Sequence, residues 1–215
     1  MAKRRKVGNL LALAVLSTVV QRPMHPYEMA SILRERGKDR DMPFKWGSLY
    51  TVVGNLEKHG MLEAAESRRE GGRPERTVYR ITDAGRAELV DWTRELVGSP
   101  EPEQPRFQAG LSVVAILAPP DVIGLLRQRL DAIGEQLAAQ RKILADAGAQ
   151  IPRLFLVEDE YELAMREAEA NWIKALLGEL TEGTFPGLDQ WQAYHDTGRL
   201  PPEMTEIAER GSTPG

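Results

Sequence analysis

The run Arg68-Arg69-Glu70-Gly71-Gly72-Arg73-Pro74-Glu75-Arg76 constrains this chain most. Four arginines, two adjacent glycines and a proline cannot form a core or a helix interior. The residues on either side are different. Met61 to Ser67 and Thr77 to Ile81 are short runs suited to strands, the second rich in β-branched and aromatic side chains. The whole reads as a β-hairpin with a flexible, arginine-loaded tip.

Three helices are expected ahead of the hairpin. The first runs from Asn9, a good N-cap, to about Val20, with Leu10, Leu13, Ala14, Leu16 and Val20 on a buried stripe. A turn at residues 22–25 follows. Pro26 stands where a first-turn proline belongs, and the second helix stops at Gly37. Lys38 to Lys45 is polar and reads as a loop. Gly47-Ser48 opens a third helix that buries Leu49, Val52, Val53 and Leu56 and closes at Gly60. After the hairpin, Thr82 caps a fourth helix carrying Leu89, Trp92 and Leu96. Helix, helix, helix, strand, charged loop, strand, helix is the order of a winged helix-turn-helix.

Ser99 to Pro105 holds three prolines and two glutamates and reads as a linker. The domain reading is therefore 1–98 for the winged helix and 99–105 for the linker. A helical dimerisation domain covers 106–182, and an irregular tail 183–215. In the third segment two long helices are expected to lie antiparallel. Their seams are Val122, Leu126, Leu130, Ile133, Leu137 and Leu144 on one, and Val157, Tyr161, Ala164, Ala168, Trp172 and Ala175 on the other. The fold class is mainly α, with a two-stranded wing.

Charge separates the same two halves. The formal net charge is −4. Residues 1–98 hold 18 Lys+Arg against 13 Asp+Glu, and residues 99–215 hold 10 against 19. A basic front half calls for an anionic partner; an acidic back half repels one. Lys3-Arg4-Arg5-Lys6 before the apolar first helix imitates a secretory signal. The apolar stretch is too short to cross a membrane and ends without a small-x-small site. A buried helix behind a basic arm, in a cytoplasmic protein, is the reading adopted.

Catalytic and metal chemistry find no purchase. The chain has no cysteine, which removes disulfides, zinc-thiolate sites and thiol nucleophiles. His25, His59 and His195 are scattered. Glu158-Asp159-Glu160 with Glu162 has no histidine at ligand spacing and reads as an acidic helix start. No nucleophile–base pair or phosphate loop is legible, and no cofactor is expected.

Five motifs then carry a family resemblance over roughly residues 8–95. They are His25-Pro26-Tyr27-Glu28-Met29, Gly47-Ser48-Leu49-Tyr50, Asn55-Leu56-Glu57-Lys58-His59-Gly60, Gly72-Arg73-Pro74, and Tyr79-Arg80-Ile81-Thr82 with Gly85. In this order they resemble the PadR family of transcriptional regulators. The resemblance implies a homodimer on a pseudo-palindromic DNA operator, usually repressing and often released by a small molecule. It places recognition-helix contacts on Ser48, Leu49 and Tyr50 and wing contacts on Gly72 and Arg73. Lys45 and Arg76 join them as exposed basic residues beside the same elements. Thr51 stands where many members have proline, and Gly54 where a basic residue is common. Phe107, Phe155, Tyr161 and Trp172 are candidate walls for a small aromatic effector. A winged helix that binds protein instead of DNA is the competing reading.

Overall fold

The computed structural model describes residues 5–38, 46–68, 76–100 and 105–199. The chain divides into two compact units, Met1–Glu103 and Gln104–Gly215.

The first unit is built on α1 (Leu10–Val19), α2 (Pro26–Glu35) and α3 (Trp46–Lys58). A hairpin of β1 (Leu62–Arg68) and β2 (Arg76–Ile81) follows, then α4 (Asp83–Gly98). Asn9 begins α1 as expected: its side chain accepts from the Leu11 N–H at 2.8 Å. The stripe on α1 is broader than its spacing predicts. Leu10 is half exposed, while Leu11, Ala12, Val15, Leu16 and Val19 are inside. Helices packed on several sides lose the one-faced pattern. Leu33, Leu49, Val53, Leu56, Leu62 and Trp92 complete the core from the other elements.

The hairpin is antiparallel, pairing Leu62 with Ile81 and Arg68 with Arg76, with a bulge between Ala64 and Glu66. Two glycines seat it on the helices. Gly60 ends α3 at φ +72°, a conformation that favours glycine. Gly85, in the first turn of α4, lies against the backbone of Met61. A methyl group there would come within 2.8 Å of Ile81 Cγ1 and 3.0 Å of the Met61 carbonyl carbon. Thr82 caps α4 by accepting from the Gly85 N–H at 3.0 Å, and its hydroxyl donates to the Gly60 carbonyl at 2.6 Å.

Arg5 departs from the expected mobile arm. Its side chain is 4% exposed. It donates to Glu88 at 2.6 Å and to Glu95, lies 3.4 Å from Asp91, and stacks 5.1 Å from the Trp92 ring centroid. Burial works against its charge, but the bonds to Glu88 and Glu95 outweigh burial and raise its pKa. Lys3 and Arg4 lie outside the described residues.

The second unit holds α5 (Arg106–Leu111), a 3-10 turn (Val114–Ile116), α6 (Pro119–Gly148), a second turn (Arg153–Phe155), α7 (Val157–Glu182) and α8 (Leu188–Thr197). The long helices run antiparallel. Arg129 on α6 meets Glu169 on α7 at 2.6 Å, and Gln140, further along α6, donates to the carbonyl of Asp159 and to Glu162. Val122, Leu126, Ile133 and Leu137 pack on Ala170, Ile173, Leu177 and Leu180. The α6 seam is the expected one. On α7 the buried stripe is a different one: Val157, Tyr161, Ala164, Ala168, Trp172 and Ala175 are all exposed. So α7 carries two apolar stripes, and the second is exposed to solvent, with Phe107 meeting it at Trp172.

Between Gly183 and residue 199 the tail is not irregular as composition predicts. Within it, α8 buries Trp191 in the core of this unit, and the indole N–H donates to the Leu117 carbonyl at 2.9 Å. The glycines and prolines that signalled a loop flank this short helix. Its stability comes from tertiary packing, which composition does not report.

Candidate nucleic-acid interface

Helices α2 and α3 form the helix-turn-helix. The first turn of α3 presents Gly47, Ser48 and Tyr50 to solvent, with Tyr50 49% exposed. Thr51 and Gly54 continue this outward side. The opposite side, Leu49, Val52, Val53 and Leu56, is the core face. A helix start carries unpaired N–H groups and a partial positive charge, both suited to phosphate.

Leu49 must be withdrawn as a DNA contact. Its side chain is fully buried, because it lies on the same helix face as Val52, Val53 and Leu56. Ser48 is not the cap of α3, since the helix begins at Trp46; it is exposed and available to a partner. Tyr50 is not a core residue. Lys45, Gly72 and Arg73 lie outside the described residues. Arg76 opens β2, facing Arg68 in the register, and its side chain is outside the description.

The wing stem is fixed to the helices at two points. Met24, just before α2, pairs with Tyr79 on β2. Burial raises the pKa of the Tyr79 hydroxyl, helped by the charge of Glu57 and the hydrogen bond to it on α3. Glu57 and Tyr79 thus belong to one contact, although their motifs lie far apart in the chain.

Two residues were missed by sequence reasoning. His25 is the N-cap of α2: its Nδ1 accepts from the Tyr27 N–H at 3.0 Å, and its ring meets Tyr50 edge-on at 6.4 Å. Histidine is not a favoured capping residue, so propensity gave no signal. Tyr27 is 61% exposed in the first turn of α2. Its signal was its position: one residue after Pro26 and two before the buried Met29. Beside it, the ion pair of Arg22 with Glu28 raises the arginine pKa and lowers that of the carboxylate.

The four candidate effector residues do not gather in one place. Phe107 and Trp172 meet edge-on at 6.1 Å, and the Arg129 guanidinium lies 3.9 Å from the Phe107 ring centroid. Phe155 and Tyr161 are 71% and 67% exposed, and among the described residues no ring contact joins them to that pair. Also among the described residues, no group of His, Asp or Glu is arranged to hold a metal ion, and no helix is long and apolar enough to cross a membrane.

A helix-turn-helix with a braced two-stranded wing defines a winged-helix domain, here followed in the chain by a helical unit. Residues 15–91 match the model of the transcriptional regulator PadR-like family. The first unit thus carries a PadR-like domain, and the family that this model describes is one of transcriptional regulators. Among solved structures it is similar to Bacillus subtilis PadR in complex with operator DNA: TM-score 0.66, 18% identity, covering 80% of this chain and 99% of that one. The same protein in complex with p-coumaric acid aligns at TM-score 0.66 and 17% identity, over 80% of this chain and 99% of that one. The Vibrio cholerae virulence activator AphA aligns at 0.60 and 18%, over 80% and 98%. At these identities the likeness is one of fold. No curated protein matches the chain.

Proposed function

We propose that two copies of this chain pair through the second unit and bind a pseudo-palindromic duplex operator, repressing transcription in the cytoplasm. The observation that carries this is the exposed α7 stripe. Val157, Tyr161, Ala164, Ala168, Trp172 and Ala175 recur at spacings of three and four, the pattern of a helix–helix seam. An exposed stripe of this kind marks an association surface, and a second copy supplies an identical face.

The dimer solves an electrostatic difficulty. One copy of residues 1–98, with five excess positive charges ahead of an acidic remainder in the sequence, has few contacts to offer. Two units held together bring the second half-site into reach at high effective concentration. On each half-site, Ser48, Tyr50 and Tyr27 dock at the helix starts, while Lys45, Gly72, Arg73 and Arg76 contact backbone or groove.

Effector release is the finer part of the proposal. Arg129 already occupies one face of Phe107, so a cationic ligand has no vacancy there. A neutral or anionic aromatic molecule against Trp172, near the guanidinium, suits the pair better. The solved PadR with p-coumaric acid supports an effector of this class. The alternative, a protein-binding winged helix, lacks an apolar patch on the outward side of α3: Gly47, Ser48, Thr51 and Gly54 surround Tyr50 there.

The test compares the full chain with a version ending at Gly98, by sedimentation and by titration of duplex carrying two half-sites. The full chain should be a dimer, and the shortened one a folded monomer with much weaker binding. A shortened chain that remains a tight dimer and holds the duplex equally well would refute the assignment.

A further inference from the structure

His25 has no role in the reading above, yet it sits where the parts of the interface meet. Its chain neighbour Met24 exchanges backbone hydrogen bonds with Tyr79 of the wing at 3.0 and 3.1 Å. Its own carbonyl accepts from Glu28 at 2.9 Å and Met29 at 3.1 Å, closing the first turn of α2. Its ring, half-buried, caps the helix through Nδ1 and reaches Tyr50 on α3 at 6.4 Å with the planes 70° apart.

We propose that His25 is a positioning residue that sets where the Tyr50 ring stands on the DNA-facing side of α3. This rests on the DNA reading above. Serine, threonine, aspartate and asparagine cap helices better than histidine, so capping alone does not call for an imidazole. An imidazole does something these residues cannot. The Nδ1 bond to the Tyr27 N–H pins the ring plane, and the pinned ring extends to an aromatic contact on the next helix. Edge-to-face pairs at this separation are favourable. Tyr50 is half exposed, so it has room to swing. One side chain thereby joins the start of α2 to the start of α3, beside the strand bridge that anchors the wing.

The experiment is a double-mutant cycle with His25→Asn and Tyr50→Leu in the full chain. Asparagine keeps the cap and removes the ring. The first readout needs no DNA: the NMR signals of the Tyr50 ring in the free protein. They should move on His25→Asn, while the thermal midpoint stays within about 2 °C of the parent. The second is affinity for duplex selected from random sequence. His25→Asn should weaken it about three- to tenfold, the size of one lost aromatic contact, and should weaken it no further once Tyr50 is leucine. His25→Ser serves as a second cap-retaining variant should asparagine fail to fold. Unmoved Tyr50 signals, or two losses that simply multiply, would overturn the proposal. A parent that prefers no duplex sequence would instead overturn the DNA reading, with the ring signals still deciding the contact.

Discussion

Tyr79 on β2 and Met24 ahead of α2 exchange both backbone hydrogen bonds, at 3.0 and 3.1 Å. This one-residue bridge adds a third edge to the hairpin and ties the wing stem to the helix-turn-helix. The Tyr79 hydroxyl strengthens the tie through Glu57 on α3. Burial, and then the Glu57 charge and hydrogen bond, raise its pKa above the usual 10.0. The neutral form is therefore the one the fold holds. Its contribution is complete below the ordinary tyrosine value. It is lost as pH rises from there through the raised folded value. Urea unfolding against pH should show the parent losing stability in this alkaline window faster than Tyr79→Phe. Parallel curves for the two proteins would remove the Glu57 contact from the account.

Gly85 is a packing requirement and not a flexible joint. Its hydrogen faces the Met61 backbone and Ile81, where a methyl group has no room. Gly85→Ala should destabilise the first unit by about 2–4 kcal/mol, at or above the usual cost of overpacking. Gly54→Ala, where nothing lies within 4 Å, should instead gain up to about 1 kcal/mol from helix propensity. Thermal unfolding of the pair checks both signs. An unchanged midpoint for Gly85→Ala would show that α4 can shift away from the hairpin.

Arg5 serves the fold. It neutralises carboxylates at residues 88, 91 and 95, which share one face of α4 and would otherwise repel one another. Arg5→Ala should cost about 2 kcal/mol. That lies between the values for exposed and buried pairs, because Glu88 and Glu95 remain 18% and 21% exposed. The salt dependence of DNA binding should not change, since this charge is already spent. A flatter salt slope with unaltered stability would return Arg5 to the DNA-binding arm.

The α7 stripe makes its own prediction. Tyr161→Lys with Trp172→Lys places charges on an exposed face and changes no residue of the Ala170, Ile173 and Leu177 core, though Trp172 gives up its edge-on contact with Phe107. Helix content should be retained while sedimentation shows a monomer. A variant that stays dimeric at low micromolar concentration would move the interface elsewhere.

Much of this was legible in the sequence because local signals agreed with one another. Asn9, Pro26, Gly60 and Thr82 punctuate the first unit where the helices begin and end. The wing was legible from the contrast between strand-prone runs and the arginine-glycine tip. What stayed hidden was tertiary. Leu49 sits inside a motif whose other members face outward, and motif membership does not say which side of the helix a residue takes. The apolar spacing on α7 describes two stripes, and periodicity cannot tell which of them meets α6. Helix α8 is short and ringed by helix breakers. Tertiary contacts account for it: the burial of Trp191 with its bond to the Leu117 carbonyl, the packing of Leu188 and the His195 contact with the Ala115 carbonyl. His25 was invisible because histidine is not a favoured cap and its ring contact is with Tyr50, a residue 25 positions away.

The central claim is that two α3 helices read one duplex together. Selection of bound fragments from random duplex by the full chain, followed by sequencing, tests it directly. A twofold dimer should enrich an inverted repeat whose half-site centres are about one helical turn, roughly 34 Å, apart or a multiple of it. Enrichment of a lone half-site with no fixed spacing, or no enrichment over the starting pool, would contradict the account.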